Sequence, residues 1–164
     1  MADVFVSYSR ADEARVETLV RALEVHGLSV WWDRSLEQGS EFGALIRREL
    51  AEAKAVIVCW SDAAAQSRWV QAEADEADNQ QKYVGALIAA GRPPPPYNTL
   101  NNANLQSWTG NADDLQLLAL LRDVGHRAGR ADIASLAESE EARLAAESKR
   151  AQAATEVERV RTVR

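Results

Sequence analysis

Short apolar runs alternate with amphipathic helical stretches along residues 1–129, and this alternation predicts an α/β protein with a five-stranded parallel sheet and helices on both faces. Two further observations point the same way. The run Ala55 to Trp60 (AVIVCW) is continuously apolar rather than alternating, as expected of a parallel strand covered on both sides. At 164 residues, 46% hydrophobic and 27% charged, the chain is also long and apolar enough for one domain with a real core.

Each element has its own signal. Asp3 to Ser7 (DVFVS) is a first strand rich in β-formers, and the helix that follows carries Val16, Leu19, Val20 and Leu23 on one face before His26-Gly27 stops it. Ser9 with Asp12 gives that helix a start resembling a capping box. Ser29 to Trp32 is a second strand, followed by the loop Asp33 to Ser40 (DRSLEQGS) and a helix whose stripe is Phe42, Leu45, Ile46, Leu50 and Ala53. After the Ala55 to Trp60 strand, a helix capped by Ser67 turns Val70, Ala74 and Ala77 inward. A fourth strand is expected near Val84 to Ala89, a proline-rich connection at Pro93 to Pro96, a fifth strand near Leu105 to Trp108, and a helix from Asp113 to Gly125. Right-handed crossovers make the sheet parallel, and the flavodoxin-like order 2-1-3-4-5 is the expected solution at this size. Its ligand crevice lies beyond the carboxyl ends of the strands, fed by Ser7 to Arg10, Asp33 to Ser40, and Ser61 to Ser67 with the helix that follows.

Charge divides the chain at about residue 129. Residues 130–164 hold seven basic and seven acidic side chains, so the formal charge of −6 belongs entirely to residues 1–129. The division expected is a domain over 1–129 and a helical linker or tail over 130–164, solvated because its few large aliphatics are scattered among alanines. These do not hold a heptad, since the position seven after Ile133 is Glu140.

Several function classes are excluded on chemical grounds. An acidic balance argues against general nucleic-acid affinity, and no apolar run is long enough for a membrane span. No basic and apolar leader opens the sequence and Cys59 is its lone cysteine, so a cytoplasmic location is expected. Neither GxGxxG nor GxxxxGK[ST] occurs, which removes the usual nucleotide cradles, and no cofactor is expected. Strand 1 runs into Ser7-Tyr8-Ser9-Arg10 rather than clustered carboxylates, so a phosphoacceptor site is not supported. One cysteine and two histidines cannot make a four-ligand zinc site, and no metal is expected. His26 and His126 sit at helix ends, where a cationic side chain suits the helix dipole, and Cys59 is a small core residue.

The informative segment is Ser67 to Glu73 (SRWVQAE). With Ser67 as the cap, Trp69 and Glu73 stand at i and i+4 on one helical face, an aromatic platform beside a carboxylate. Such a pair could pack on a sugar and stabilise positive charge developing on a ribose ring. The spacing fits equally a solvated acidic face, because Asp75, Glu76 and Asp78 follow on the same helix.

DVFVSYSR, HGLSVWWDRSLEQGSEF, AVIVCWS and SRWVQAEADEA, in this order over about residues 3–125, resemble the successive signature boxes of bacterial Toll/interleukin-1 receptor (TIR) domains. The enzymatic members cleave the nicotinamide–ribose bond of NAD+ with a glutamate four residues after a tryptophan in the helix after strand 3, so the resemblance implies that Glu73 is catalytic and Trp69 binds substrate. It implies the same binding role for Ser9 and Arg10 after strand 1, and for Trp32, Asp33, Glu37 and Gly39 in and before the loop after strand 2. Trp31 and Trp32 alternate in direction, so one of them is expected in the core. Ser9 stands where some active members have a basic residue, which weakens the phosphate contact there but not the role of the glutamate. The resemblance further implies NAD+ as substrate rather than cofactor. It implies other TIR domains as partners, in a homo-oligomer or filament through the 33–40 loop, with a site shared by two protomers. The expected function is an NAD+ glycohydrolase of bacterial defence or stress signalling, activated by self-assembly, with hydrolysis or cyclisation as the outcome. The alternative is a non-enzymatic adaptor that only binds other TIR domains.

Overall fold

The structure, a computed structural model, describes residues 2–32 and 43–163. Strand β1 (Val4–Ser7) pairs in parallel with β2 (Val30–Trp31) on one side and β3 (Ala55–Trp60) on the other. β3 pairs with β4 (Tyr83–Leu87), and β4 with β5 (Asn102–Asn104). The order is therefore β2-β1-β3-β4-β5, all parallel, as the alternation of elements predicts. Helices α1 (Glu13–Val25), α2 (Gly43–Glu52), α3 (Asp62–Ala65), α4 (Arg68–Asn79), α5 (Leu115–Arg127) and α6 (Ala131–Val163) complete the chain.

The pleat sorts the strand side chains into two cores. Val4, Val6, Ile57 and Cys59 face α1, α5 and the start of α6, while Phe5, Val56, Val58 and Trp60 face α2 and α4. Val16, Leu19, Val20 and Leu23 of α1 are all buried, each contributing about 1.5–3 kcal/mol by leaving water. Gly27, at φ +87, supplies the left-handed residue that ends the helix. In α2, Leu50 is buried and Leu45 and Ile46 are half-buried; Phe42 lies outside the described residues. Trp31 stacks on Phe5 at 5.0 Å and Trp32 meets Tyr8 at 5.9 Å. The two tryptophans do alternate in direction, and each is half-buried in a different core.

Four expectations need correction. The fifth strand is Asn102–Asn104 rather than Leu105 to Trp108. As an edge strand it needs backbone pairing more than apolar side chains, whereas Leu105 is a core plug just beyond it and Trp108 closes a turn by bonding back to the Leu105 carbonyl. The capping box at Ser9 does not form: no side-chain cap is made there, and the Asp12 carboxylate instead accepts from Ser61 Oγ at 2.5 Å. Ser61 is occupied a second time as the N-cap of α3, a short helix without a periodic sequence signal. The α5 helix does not stop at Gly125 but runs to Arg127. Gly125 is buried inside it, where a Cβ would come within 2.7 Å of the Ala134 backbone nitrogen, so its smallness lets α5 and α6 touch.

The fourth correction concerns the tail, which is not solvated throughout. Ile133, Ala134 and Ala137 are buried against the α1 and α5 core. Arg122 pairs with Glu141 at 2.8 Å, and Arg130 reaches Asp3 and the Gly27 carbonyl at 3.2 Å. From Ala145 to Thr162 the side chains are exposed, as expected of a solvated helix. Among the described residues no helix is long and apolar enough to cross a membrane.

Candidate functional site

The groove between α2 and α4 has a volume of about 650 Å³ and is lined by Ile46, Arg47 and Leu50 on one side and by Trp69, Glu73 and Glu76 on the other. Local sequence explains how α4 presents these groups. Ser67 Oγ accepts from the Val70 backbone at 3.3 Å and starts the helix, and Val70, Ala74 and Ala77, all 0% exposed, press it onto the sheet. Trp69 and Glu73 then flank that stripe one turn apart. Trp69 stands 42% exposed at the groove, and Glu73 only 9%.

Glu73 is the unusual member. Burying a carboxyl disfavours its charged form, and here burial pushes its pKa up to about 7. Among the described residues no cation pairs with it, although Arg47 lines the same groove and binds its own helix at the Gly43 carbonyl. The Ser7 hydroxyl lies against the carboxyl and offsets part of the rise, yet this buried oxygen completes no hydrogen bond. A buried carboxyl with no ion pair is costly, and such groups concentrate where charge has work to do.

The remaining candidates are dispersed. Ser9 and Arg10 lie at the turn after β1, with Arg10 exposed, and Trp32 lies just after β2; none is among the described residues lining the groove. Asp33, Glu37 and Gly39 lie outside the described residues. Of the expected site, Trp69 and Glu73 therefore share one groove. Arg47, Glu76 and Ser7 belong to the same surroundings without having been candidates. Strand alternation sets Ser7 on the Phe5 side of β1, but the sequence alone does not show that α4 covers that side. Cys59 is fully buried with its thiol pKa pushed far up by burial, and His26 Nδ1 sits 2.8 Å from the Ala22 carbonyl. His126, inside α5 rather than beyond its end, faces Glu138 of α6 at 3.1 Å. No group of three or more His, Cys, Asp and Glu among the described residues is placed to hold a metal ion.

Comparison with known proteins adds a family and a fold. Residues 4–121 match the family described as "TIR domain". The crystal structure of the TIR domain of a Toll-related receptor from the lower metazoan Hydra magnipapillata superposes with a TM-score of 0.56 at 20% identity, covering 63% of this chain and 84% of that one. At that identity the likeness shows the shared fold. A search of curated proteins found no match.

Proposed function

From a chain that belongs to the TIR domain family, with a buried carboxyl at its α2–α4 groove that no cation pairs among the described residues, we propose an NAD+ glycohydrolase that cleaves the nicotinamide–ribose bond. The single observation that supports this reading is Glu73. As the bond from ribose C1′ to the nicotinamide nitrogen breaks, its electron pair leaves with nicotinamide, the ring of which becomes neutral, and positive charge gathers on the ribose. A carboxylate shielded from water acts on that charge at a lower effective dielectric than a solvated one, so its stabilisation of the transition state is larger. Water then adds at C1′ and loses a proton, giving ADP-ribose, or a nucleophile of the adenine closes a cyclic isomer. Trp69 offers its exposed ring as the packing surface for the sugar or the leaving group.

Ser9, Arg10 and Trp32, with Asp33, Glu37 and Gly39, are proposed to complete substrate binding when two copies meet through the 33–40 loop. NAD+ is then a substrate, and no cofactor is required. Residues 1–129 are the proposed catalytic unit and residues 130–164 its helical linker, working in the cytoplasm in bacterial defence or stress signalling. The test incubates the purified chain with NAD+ and quantifies nicotinamide, ADP-ribose and cyclic product in dilute and in crowded solution. Specific activity that rises with protein concentration is expected. Absence of nicotinamide release under crowding, with binding to a second copy retained, would leave the chain a TIR–TIR interaction module.

A further inference from the structure

The hydroxyl of Ser7 is 1% exposed and is the one buried side-chain polar atom among the described residues that completes no hydrogen bond. Its place in the strand explains what it faces. Phe5 and Val58 belong to the core under α2 and α4; Ser7 lies two residues after Phe5 and opposite Val58 in the parallel register, so its side chain points to that same layer. The layer also contains Val70, Ala74 and Ala77 of α4, between which Glu73 turns in. A buried hydroxyl left without a partner costs free energy, and alanine at this point of β1 would avoid the cost. The serine is therefore at odds with packing alone.

We infer that Ser7 is a positioning residue for the Glu73 carboxylate, its hydroxyl turning to donate to the carboxylate once that group ionises. A hydroxyl beside a neutral carboxyl has little to gain, but beside an ionised one it makes a charge-assisted bond, the stronger class. The bond holds one carboxylate oxygen toward β1 and leaves the other for the groove. The inference deepens the proposed function by naming what orients its central group, and in that respect it rests on that reading. The Ser7–Glu73 coupling itself exists whether or not NAD+ is the substrate.

The described charged groups facing the same groove are Arg47 of α2 and Glu76 of α4; β1 contributes none. Their influence is removed by working in two backgrounds. Unfolding stability of the full chain is measured from pH 4 to pH 9 for wild type, Ser7→Ala, Glu73→Gln and the double variant. In wild type the folded state binds the Glu73 proton more tightly than the unfolded state, so stability falls as pH rises from the ordinary carboxyl range and levels off above about pH 7. Ser7→Ala is expected to move that levelling about one pH unit higher, as loss of one charge-assisted hydrogen bond implies, while leaving stability near pH 4 unchanged or raised. In the Glu73→Gln background the same substitution is expected to leave the pH profile untouched. A Ser7→Ala profile that levels off where wild type does overturns the inference, and so does an equal effect in the Glu73→Gln background. Ser7→Thr, which keeps a hydroxyl, is expected to hold the wild-type midpoint; a shift as large as alanine's overturns it too. The readout needs no substrate, so a coupling present without NAD+ cleavage sinks the proposed function alone, and cleavage without coupling sinks the role of Ser7 alone.

Discussion

Helix α4 offers polar groups at two places, two residues apart, the exposed Asp75 and the buried Glu73, and they are finished in opposite ways. Toward β4 and β5, Trp60 Nε1 donates to the Tyr83 hydroxyl at 2.8 Å, Tyr83 donates to Asn102 Oδ1 at 2.8 Å, and Asn102 Nδ2 donates to the Tyr97 carbonyl at 2.9 Å. The Tyr97 hydroxyl then donates to Asp75 of α4, and the Tyr83 and Tyr97 rings stack at 5.0 Å. Every side-chain polar group in that chain has a partner. Toward β1, among the described residues, Glu73 is buried without an ion pair and Ser7 without a completed hydrogen bond. A satisfied network fixes how α4 sits on the sheet, and an unsatisfied pair beside it is held in place at the expense of stability. The closed side supplies rigidity and the open side holds a buried titratable carboxyl.

The largest expected effect breaks the open side. Glu73→Gln keeps size and hydrogen-bonding capacity but removes the charge, and NAD+ cleavage is expected to fall by about 10²–10³-fold or more. The same change should stabilise the fold above pH 7 by up to about 3 kcal/mol, because a buried carboxylate with its pKa raised from 4.5 to about 7 no longer has to ionise. Wild-type activity should correspondingly fall about tenfold per pH unit below about pH 7, as the carboxylate takes up its proton. Wild-type turnover in a folded Glu73→Gln protein would remove the glutamate from the chemistry.

Next comes the closed side. A Cβ on Gly85 would fall 1.6 Å from Asn102 Oδ1 and 2.6 Å from the Tyr83 hydroxyl, so Gly85→Ala must break the network, at about 3 kcal/mol in urea unfolding. Tyr83→Phe leaves the indole N–H of Trp60 and the amide oxygen of Asn102 without their partner and should cost about 1–3 kcal/mol. Neither should gain stability at high pH, which separates them from Glu73→Gln. The smallest effect concerns how far the open side extends. If Arg10 holds a phosphate, Arg10→Ala on assembled protein should raise KM about tenfold and spare kcat, since such a contact acts alike in ground and transition states. An unchanged KM confines binding to the α2–α4 groove.

The two sides also differed in how far the sequence revealed them. Strand order and the α1 and α4 stripes were legible because apolar residues repeat at the helical period and AVIVCW is apolar throughout. The closed network was not legible, since Asn102 reads as a turn residue and its strand has no β-branched side chain to announce it. At the open side the Trp69 and Glu73 spacing was visible, but among Asp75, Glu76 and Asp78 nothing in the sequence marks one carboxylate as buried. That distinction arises from the rotation of α4 on the sheet. Ser7 went unnoticed for a related reason: one serine ending a strand carries no signal until the facing helix is known.

Among the described residues, the 33-residue α6 helix packs on the rest of the fold through its first part, up to Leu144. Beyond Leu144 its exposed turns are held by backbone bonds and by local pairs such as Arg159 with Glu156 at 2.8 Å. The stretch from Ala145 to Val163 is then a ruler of about 28 Å while helical, and each residue that uncoils can lengthen it from 1.5 Å to about 3.3 Å. Its reach is therefore set by a helix–coil balance rather than by packing. Salt, which screens exposed ion pairs, and warmth, which melts unsupported turns, both favour the longer and looser state. The distance from the sheet to Val163 can change in this way without any rearrangement of the sheet.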